Sequence, residues 1–383
     1  MTARTPAAPP FDRIPFLDLS GQYRALRAEL LEAVTRVLDS GRYILGPEGE
    51  AFEAEFARAQ GAPRCLGISS GTDALLLALE AAGVGPGHEV IAPAFTFIAT
   101  TTVVNALGAT PVFADVDPRS LTLDAASAAE RVTRRTRAII PVHLYGGPAD
   151  LDPISRLARS AKLAVIEDCA QAHLTRYRGK PVGTVGDAGC FSFYPSKNLG
   201  AAGDAGALTL RRRGLYESCA MLRDVGRKPG KKRYEHPRVG RNCRLDEVQA
   251  AVLRVKLRRL AGWTQARREL AERYRRGLAR LPVALPPADA DGSRHAYHCF
   301  TIQTPKRDAL ARHLSAAKIA TAVYYPVPLH LQPAYAGRYR RGEFPVSERA
   351  AREVLSLPMY PELPAAAVDR VCEETAAFFA SAA

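Results

Sequence analysis

The sequence predicts an α/β protein with a largely parallel sheet. Three observations carry this expectation: short apolar runs alternate with helix-like stretches, the runs are apolar on both faces, and one ends in the carboxylate pair Glu167-Asp168. Residues 89–93, 110–115, 138–142 and 163–166 read as buried strands, each short and rich in β-branched or apolar side chains. Residues 73–82 and 98–107 read as the helices between them. In such sheets functional side chains gather beyond the carboxyl ends of the strands, and Asp168 stands at one such end. From residue 245 to 260 the apolar positions Leu245, Val248, Val252 and Val255 recur at helical spacing, and the pattern continues toward Tyr274. A long amphipathic helix follows from that spacing. The Pro-rich segment 281–287 interrupts it, after which 297–304 reads as a strand and 307–317 as a helix. The expected organisation is a large domain over 12–260 and a smaller α+β domain over 261–383.

Composition sets the outer bounds. A chain of 383 residues with 47% hydrophobic content can bury a sizeable core, and its length favours two domains. Its seven cysteines form an odd set without CxxC pairs, so neither a metal site nor a disulfide framework is expected, and the cytoplasm is the expected compartment. The Ala/Pro-rich stretch 1–10 has no apolar export region, and nowhere do 18 consecutive apolar residues occur; no membrane association is expected. A formal charge of +14 suits an anionic partner, and twelve Lys/Arg fall between Arg211 and Arg244. Two readings stand: a solvated face, or a surface that gathers an anionic substrate. No interleaved aromatic run accompanies the cluster, so no nucleic-acid partner is expected.

The chemistry sits on a lysine and an acid. Lys197 lies in Phe191-Ser-Phe-Tyr-Pro-Ser-Lys-Asn-Leu-Gly200, downstream of the strand that ends at Asp168. Pyridoxal 5'-phosphate (PLP) chemistry requires such a pair, because an amine holds the cofactor aldehyde covalently and an acid keeps the pyridine nitrogen protonated. Taken singly, Lys197 reads as a surface lysine and Asp168 as a cap or salt-bridge partner. Ser69-Ser-Gly-Thr-Asp73 precedes an apolar helix, so backbone N–H groups and the Thr72 hydroxyl can face a phosphate with the helix dipole behind them. Ser70 or Asp73 can equally be a plain N-cap. Phe97, just beyond a strand end, can stack on a pyridine ring or fill the core.

Together and in this order, Ser70-Gly-Thr72, Pro93-Ala-Phe-Thr-Phe97, Glu167-Asp-Cys-Ala-Gln171, Ser192-Phe-Tyr-Pro-Ser-Lys197 and Gly240-Arg-Asn-Cys-Arg-Leu-Asp246 resemble the DegT/DnrJ/StrS family of PLP-dependent nucleotide-sugar aminotransferases. That family has the fold-type I architecture of the aspartate aminotransferase superfamily. The resemblance runs from Phe16-Leu-Asp-Leu19 to Leu357-Pro-Met-Tyr-Pro361. It implies that Lys197 binds the cofactor covalently, Asp168 pairs with the pyridine nitrogen and Gln171 lies near the ring hydroxyl. It also implies that Phe97 stacks on the ring and that Gly71, Thr72 and Ser192 hold the phosphate. Asn242 matches a position that reaches the neighbouring subunit's cofactor, which implies a homodimer with shared active sites. Tyr194, Tyr324, Tyr325 and His330 match elements that contact the sugar. Two positions depart from the family pattern: Cys243 replaces a Tyr or Ser, and Tyr324 replaces a His.

The resemblance implies transfer of an amino group from L-glutamate to a nucleotide-linked keto sugar. Lys197 then shuttles the proton, and its amine must be partly neutral, below the ordinary lysine pKa of about 10.4. Relatives that remove a hydroxyl carry His at this position, so the lysine argues against a sugar dehydratase. Lys197-Asn-Leu-Gly-Ala-Ala-Gly-Asp-Ala-Gly206, Val255-Lys-Leu-Arg258 and Tyr325-Pro-Val-Pro-Leu-His330 resemble the branch that aminates C-3, and a dTDP-3-keto-6-deoxyhexose is the favoured substrate. The alternatives are action at C-4, on a UDP-linked acetamido sugar or on a keto-cyclitol, and a non-catalytic regulator.

Overall fold

The computed structural model describes residues 12–228 and 234–381. The stretch 1–10 and the basic tripeptide 231–233 lie outside the described residues. In chain order the elements are α1 (Leu19–Ser40), α2 (Pro47–Gln60), β1 (Cys65–Ile68), α3 (Gly71–Ala81), β2 (Glu89–Pro93), α4 (Ala99–Ala106), β3 (Thr110–Ala114), α5 (Ala125–Glu130), β4 (Thr136–Ile139), α6 (Leu151–Ala161) and β5 (Ala164–Asp168). A short hairpin follows, β6 (Arg176–Tyr177) and β7 (Lys180–Pro181), then β8 (Ala188–Ser192), β9 (Gly206–Leu210), α7 (Arg213–Arg223) and α8 (Glu247–Leu278). The chain closes with β10 (Phe300–Gln303), α9 (Arg307–Ala316), α10 (Pro345–Glu353), β11 (Val354–Leu357) and α11 (Ala365–Ser381).

Seven strands form one sheet in the order β1-β9-β8-β5-β4-β2-β3. Only β9 runs against its neighbours; the other four pairings, β2-β3, β2-β4, β4-β5 and β5-β8, are parallel, and β1, antiparallel to β9, shares their direction. The expected α/β class with a mostly parallel sheet is therefore observed. Both faces are buried, one under α3, α4 and α7 and the other under α2, α5 and α6, which is why the strands are apolar throughout. Phe52, Phe56, Phe191 and Phe193 pack edge to face at 5.1–5.3 Å between α2 and β8. Each such side chain contributes roughly 1.5–3 kcal/mol through burial.

α8 is 32 residues long, roughly 48 Å at 1.5 Å per residue. Its first half packs Ala251, Val252 and Val255 on α1, and its second half carries Leu270, Tyr274 and Leu278 into a separate core with β10, β11 and α11. Residue 260, where the sequence suggested a boundary, thus falls inside a continuous helix. At its start the buried Glu247 carboxylate accepts from the amides of Gly46, Glu48 and Gly49 at 2.8–2.9 Å, satisfying the free donors at the start of α2. Among the described residues no helix is long and apolar enough to cross a membrane.

Candidate active site

The carboxyl ends of β1, β2, β5 and β8 open into a cavity of about 490 Å³. Lys197, Asp168, Gly71, Thr72, Phe97, Gln171, Ser192, Tyr194, Tyr324 and Tyr325 all line it. Strand alternation explains the acid pair: Glu167 and Asp168 point to opposite faces. Glu167 is fully buried, hydrogen-bonded to His143 at 3.0 Å and to the amides of Gly183, Val185 and Gly186 at 2.6–2.9 Å, so it anchors the strand end. Asp168 faces the cavity. One of its oxygens accepts from Thr100 Oγ1 at 2.9 Å and the other from the Ala170 amide at 3.1 Å.

Burial raises the Asp168 pKa, while the Ala170 amide, the Thr100 hydroxyl and the Lys197 charge pull it back. Burial also lowers the Lys197 pKa, with Cys299 and Asp168 opposing. The amine is therefore neutral at lower pH than a solvated lysine, as a proton acceptor requires.

The phosphate end is a cradle of close backbone approach. Ser70 caps α3 by accepting from the Asp73 amide at 3.0 Å, and the Asp73 carboxylate accepts from the hydroxyls of Ser69 and Ser70. The N-cap reading of Ser70 thus holds, and it leaves the amides of Gly71 and Thr72 free of intrahelical acceptors. A Cβ on Gly71 would lie 2.6 Å from Ser192 Cβ, so only glycine lets α3 approach β8 this closely. An anion at this point meets free amides, two hydroxyls and the positive end of an 11-residue helix. The residues suit a phosphorylated, aldehyde-bearing aromatic cofactor: an anion cradle at one end, an amine with a lowered pKa, and a buried acid opposite.

Phe97 is 55% exposed at the cavity wall, its ring 6.0 Å from that of Tyr325, which sets aside the core-filling reading. Gln171 accepts from the Tyr145 amide at 2.6 Å and donates to the Tyr325 hydroxyl at 3.3 Å. Tyr145 was not expected from sequence. Its φ of 58° is costly for a bulky residue, roughly 1–3 kcal/mol, and its hydroxyl donates to the Tyr324 carbonyl. Asp204 and His298 also line the cavity. His298 falls inside the strand expected over 297–304 but lies two residues before the observed β10, and sequence reasoning did not single it out.

Two expected residues lie elsewhere. His330 is 1% exposed, 3.0 Å from Glu348 and packed on Phe344, so its ring is turned into a separate core and does not face the cavity. Asn242 is exposed and does not line the cavity of its own chain. Among the described residues of the basic cluster, Arg212, Arg213, Arg223, Arg227, Arg241 and Arg244 meet Asp187, Glu217, Glu53, Asp224, Glu80 and Asp224. No arginine lines the cavity among the described residues, which favours the solvated-face reading for this part of the charge.

A family model for DegT/DnrJ/EryC1/StrS aminotransferases matches residues 24–376. The chain is 48% identical over 352 residues to dTDP-3-amino-3,4,6-trideoxy-alpha-D-glucose transaminase of Streptomyces venezuelae, covering 92% of each chain. It is 47% identical over 350 residues to a UDP-N-acetyl-3-dehydro-alpha-D-glucosamine 3-aminotransferase of Acidithiobacillus ferrooxidans, covering 91% of this chain and 94% of that one. Among solved structures, S. venezuelae DesV in complex with a ketimine intermediate superposes with a TM-score of 0.92 at 48% identity, covering 95% of this chain and 98% of that one. The cavity at the strand ends, with its lysine, buried acid and anion cradle, thus sits in a chain that belongs to the DegT/DnrJ/EryC1/StrS aminotransferase family.

Proposed function

We propose that the protein is a PLP-dependent aminotransferase that moves an amino group from L-glutamate to C-3 of a nucleotide-linked keto sugar, with a dTDP-3-keto-6-deoxyhexose favoured. The observation that carries this reading is the convergence of Lys197, Asp168 and the Gly71–Thr72–Ser192 cradle on one cavity. The activities of the two relatives named above, both at C-3 of a nucleotide sugar, support the regiochemistry.

Bound here, PLP supplies an electron sink that stabilises negative charge on the carbon losing its proton. Lys197 would hold the cofactor covalently, and once freed its Nζ would carry a proton from the donor's α-carbon to the cofactor in the glutamate half-reaction and from the cofactor to C-3 of the sugar in the second. Asp168, held by Thr100 and Ala170, keeps a positive charge on the pyridine nitrogen. Gly71, Thr72 and Ser192 would hold the phosphate, with Phe97 available to the ring and Gln171 to its hydroxyl.

Tyr194 and Tyr325 are read as sugar contacts, Tyr194 because it stands exposed on the cavity wall, Tyr325 because its hydroxyl projects inward beside Gln171. Tyr194→Phe and Tyr325→Phe are expected to raise KM for the keto sugar about tenfold with little change in KM for glutamate, as steady-state kinetics on both substrates will report. Equal effects on both would assign the two hydroxyls to cofactor geometry.

Asn242, exposed on its own chain, is read as reaching the cofactor of a second copy in a homodimer. Lys197→Ala and Asn242→Ala are each expected to be impaired, yet a mixed dimer holds one whole site. Random assortment makes about half the dimers mixed, so co-expression should restore roughly a quarter of wild-type activity. No recovery in purified mixed dimers would sink the shared site while leaving the cofactor reading in place. A panel of dTDP- and UDP-linked keto sugars incubated with glutamate, read by mass spectrometry, tests the substrate. Amination confined to a C-4 keto sugar would overturn the C-3 reading.

A further inference from the structure

We propose that His298 is a positioning residue for Lys197: a neutral imidazole of fixed tautomer that accepts a hydrogen bond from the lysine amine and sets its direction. The inference rests on the reading of Lys197 as the proton-transferring amine. His298 lines the same cavity as Lys197, and its ring is tied from behind by Asn198, the residue that follows the lysine. Asn198 is 3% exposed. Its Nδ2 donates to the Ala296 carbonyl at 3.1 Å, which fixes the amide orientation and turns Oδ1 toward His298 Nδ1, also at 3.1 Å. An amide oxygen only accepts, so His298 Nδ1 carries the proton and Nε2 is left as a bare acceptor.

The surroundings keep it so. Burial holds the His298 pKa well below its ordinary value, and Lys197, Arg267, His173 and His295 all add to the shift. Arg267, 3% exposed, donates to the carbonyls of Tyr297, His298 and Met359 at 2.9–3.3 Å, which places a fixed positive charge against the backbone of His298. His173 and His295 are buried and shifted down to about 3, so both stay neutral. Cys299, the next residue, is pushed up to about 11 by burial and stays a thiol. Asp168 and Asp204 both stand on the cavity wall, and Asp168 favours the charged form of Lys197.

An acceptor that does not itself take up a proton suits an amine that must be both neutral and aimed. It occupies one N–H of Lys197, so the lone pair faces the cavity, and it adds no positive charge to the site. No proton passes to His298 in this account.

The test begins without cofactor. Nitrogen-15 NMR of histidine-labelled, cofactor-free wild-type protein is expected to show His298 protonated at Nδ1 and bare at Nε2 across the neutral range. In the loaded enzyme, His298→Phe keeps the ring but loses the acceptor. The glutamate half-reaction is expected to slow by about tenfold to a hundredfold, with the borohydride-trapped adduct on Lys197 intact. His298→Gln, whose Oε1 can accept, is expected to recover most of that loss. Asn198→Asp places a carboxylate on Nδ1, which favours the imidazolium, so the acid limb of the rate profile should move to higher pH. A wild-type imidazolium, an Nε2–H tautomer, or wild-type half-reaction rates in both His298 variants would overturn the proposal. Absence of a trapped adduct on Lys197 in wild type would overturn the underlying reading and this one with it, and the tautomer measured without cofactor separates the two failures.

Discussion

Lys197→Ala is expected to abolish amino transfer, a fall on the order of 10⁴-fold or more, because it removes both the covalent anchor and the group that moves the proton. The wild-type protein should purify yellow with a reducible linkage at Lys197; the variant should lose the linkage yet still bind PLP through the Gly71–Thr72 amides at the start of α3. The substitution removes an amine from a cavity wall and leaves the surrounding cores untouched, so the fold should persist. Burial lowers the Lys197 pKa, which sets the sign of a pH effect: the neutral amine gains population at lower pH than in a solvated lysine. The rate of the glutamate half-reaction should therefore rise with pH and level off below the ordinary lysine range. Normal turnover in the variant would remove Lys197 from the mechanism.

Asp168→Asn has the second largest expected effect. The amide oxygen can still accept from Thr100 or Ala170, so shape is preserved while the charge that protonates the pyridine nitrogen is lost. Removing one fixed charge of this kind from a buried site costs roughly two to three orders of magnitude in rate. The absorption spectrum of the bound cofactor and single-turnover rates with glutamate will report it. Near-normal rates with unchanged cofactor absorption would reassign the pyridine partner.

Much of this site could be read from local pattern. The run Glu-Val-Ile-Ala-Pro is β2 residue for residue, since so short an apolar stretch has no competing helical period. The edges of β4 and β5 moved by one to three residues, because parallel pairing with β2 and β8 decides where they end. β1, β8 and β9 carry Gly67, Gly189 and Gly206, the first packed close on the Leu245 side chain and the other two on the backbone of Gly183 and Ser70, and glycine weakens the strand signal. Asp168 ends β5 and Lys197 lies in the loop that follows β8, and both were visible from the local sequence. His330 could not be placed from sequence, because Glu348 and Phe344, which hold it away from the cavity, come from the loop and helix that follow. Tyr145 and His298 depend on partners that only the tertiary fold supplies, Gln171 for one and Asn198 for the other.

The central claim is that the Lys197–Asp168 cavity transfers nitrogen to a keto sugar. Incubation with nitrogen-15 glutamate and a dTDP-linked 3-keto-6-deoxyhexose, followed by mass spectrometry and NMR of the sugar, tests it most directly. The account predicts a product that has gained one labelled nitrogen at C-3, with 2-oxoglutarate formed in equal amount. A sugar that has lost oxygen without gaining the label, or glutamate left unconsumed alongside every nucleotide keto sugar supplied, would contradict it.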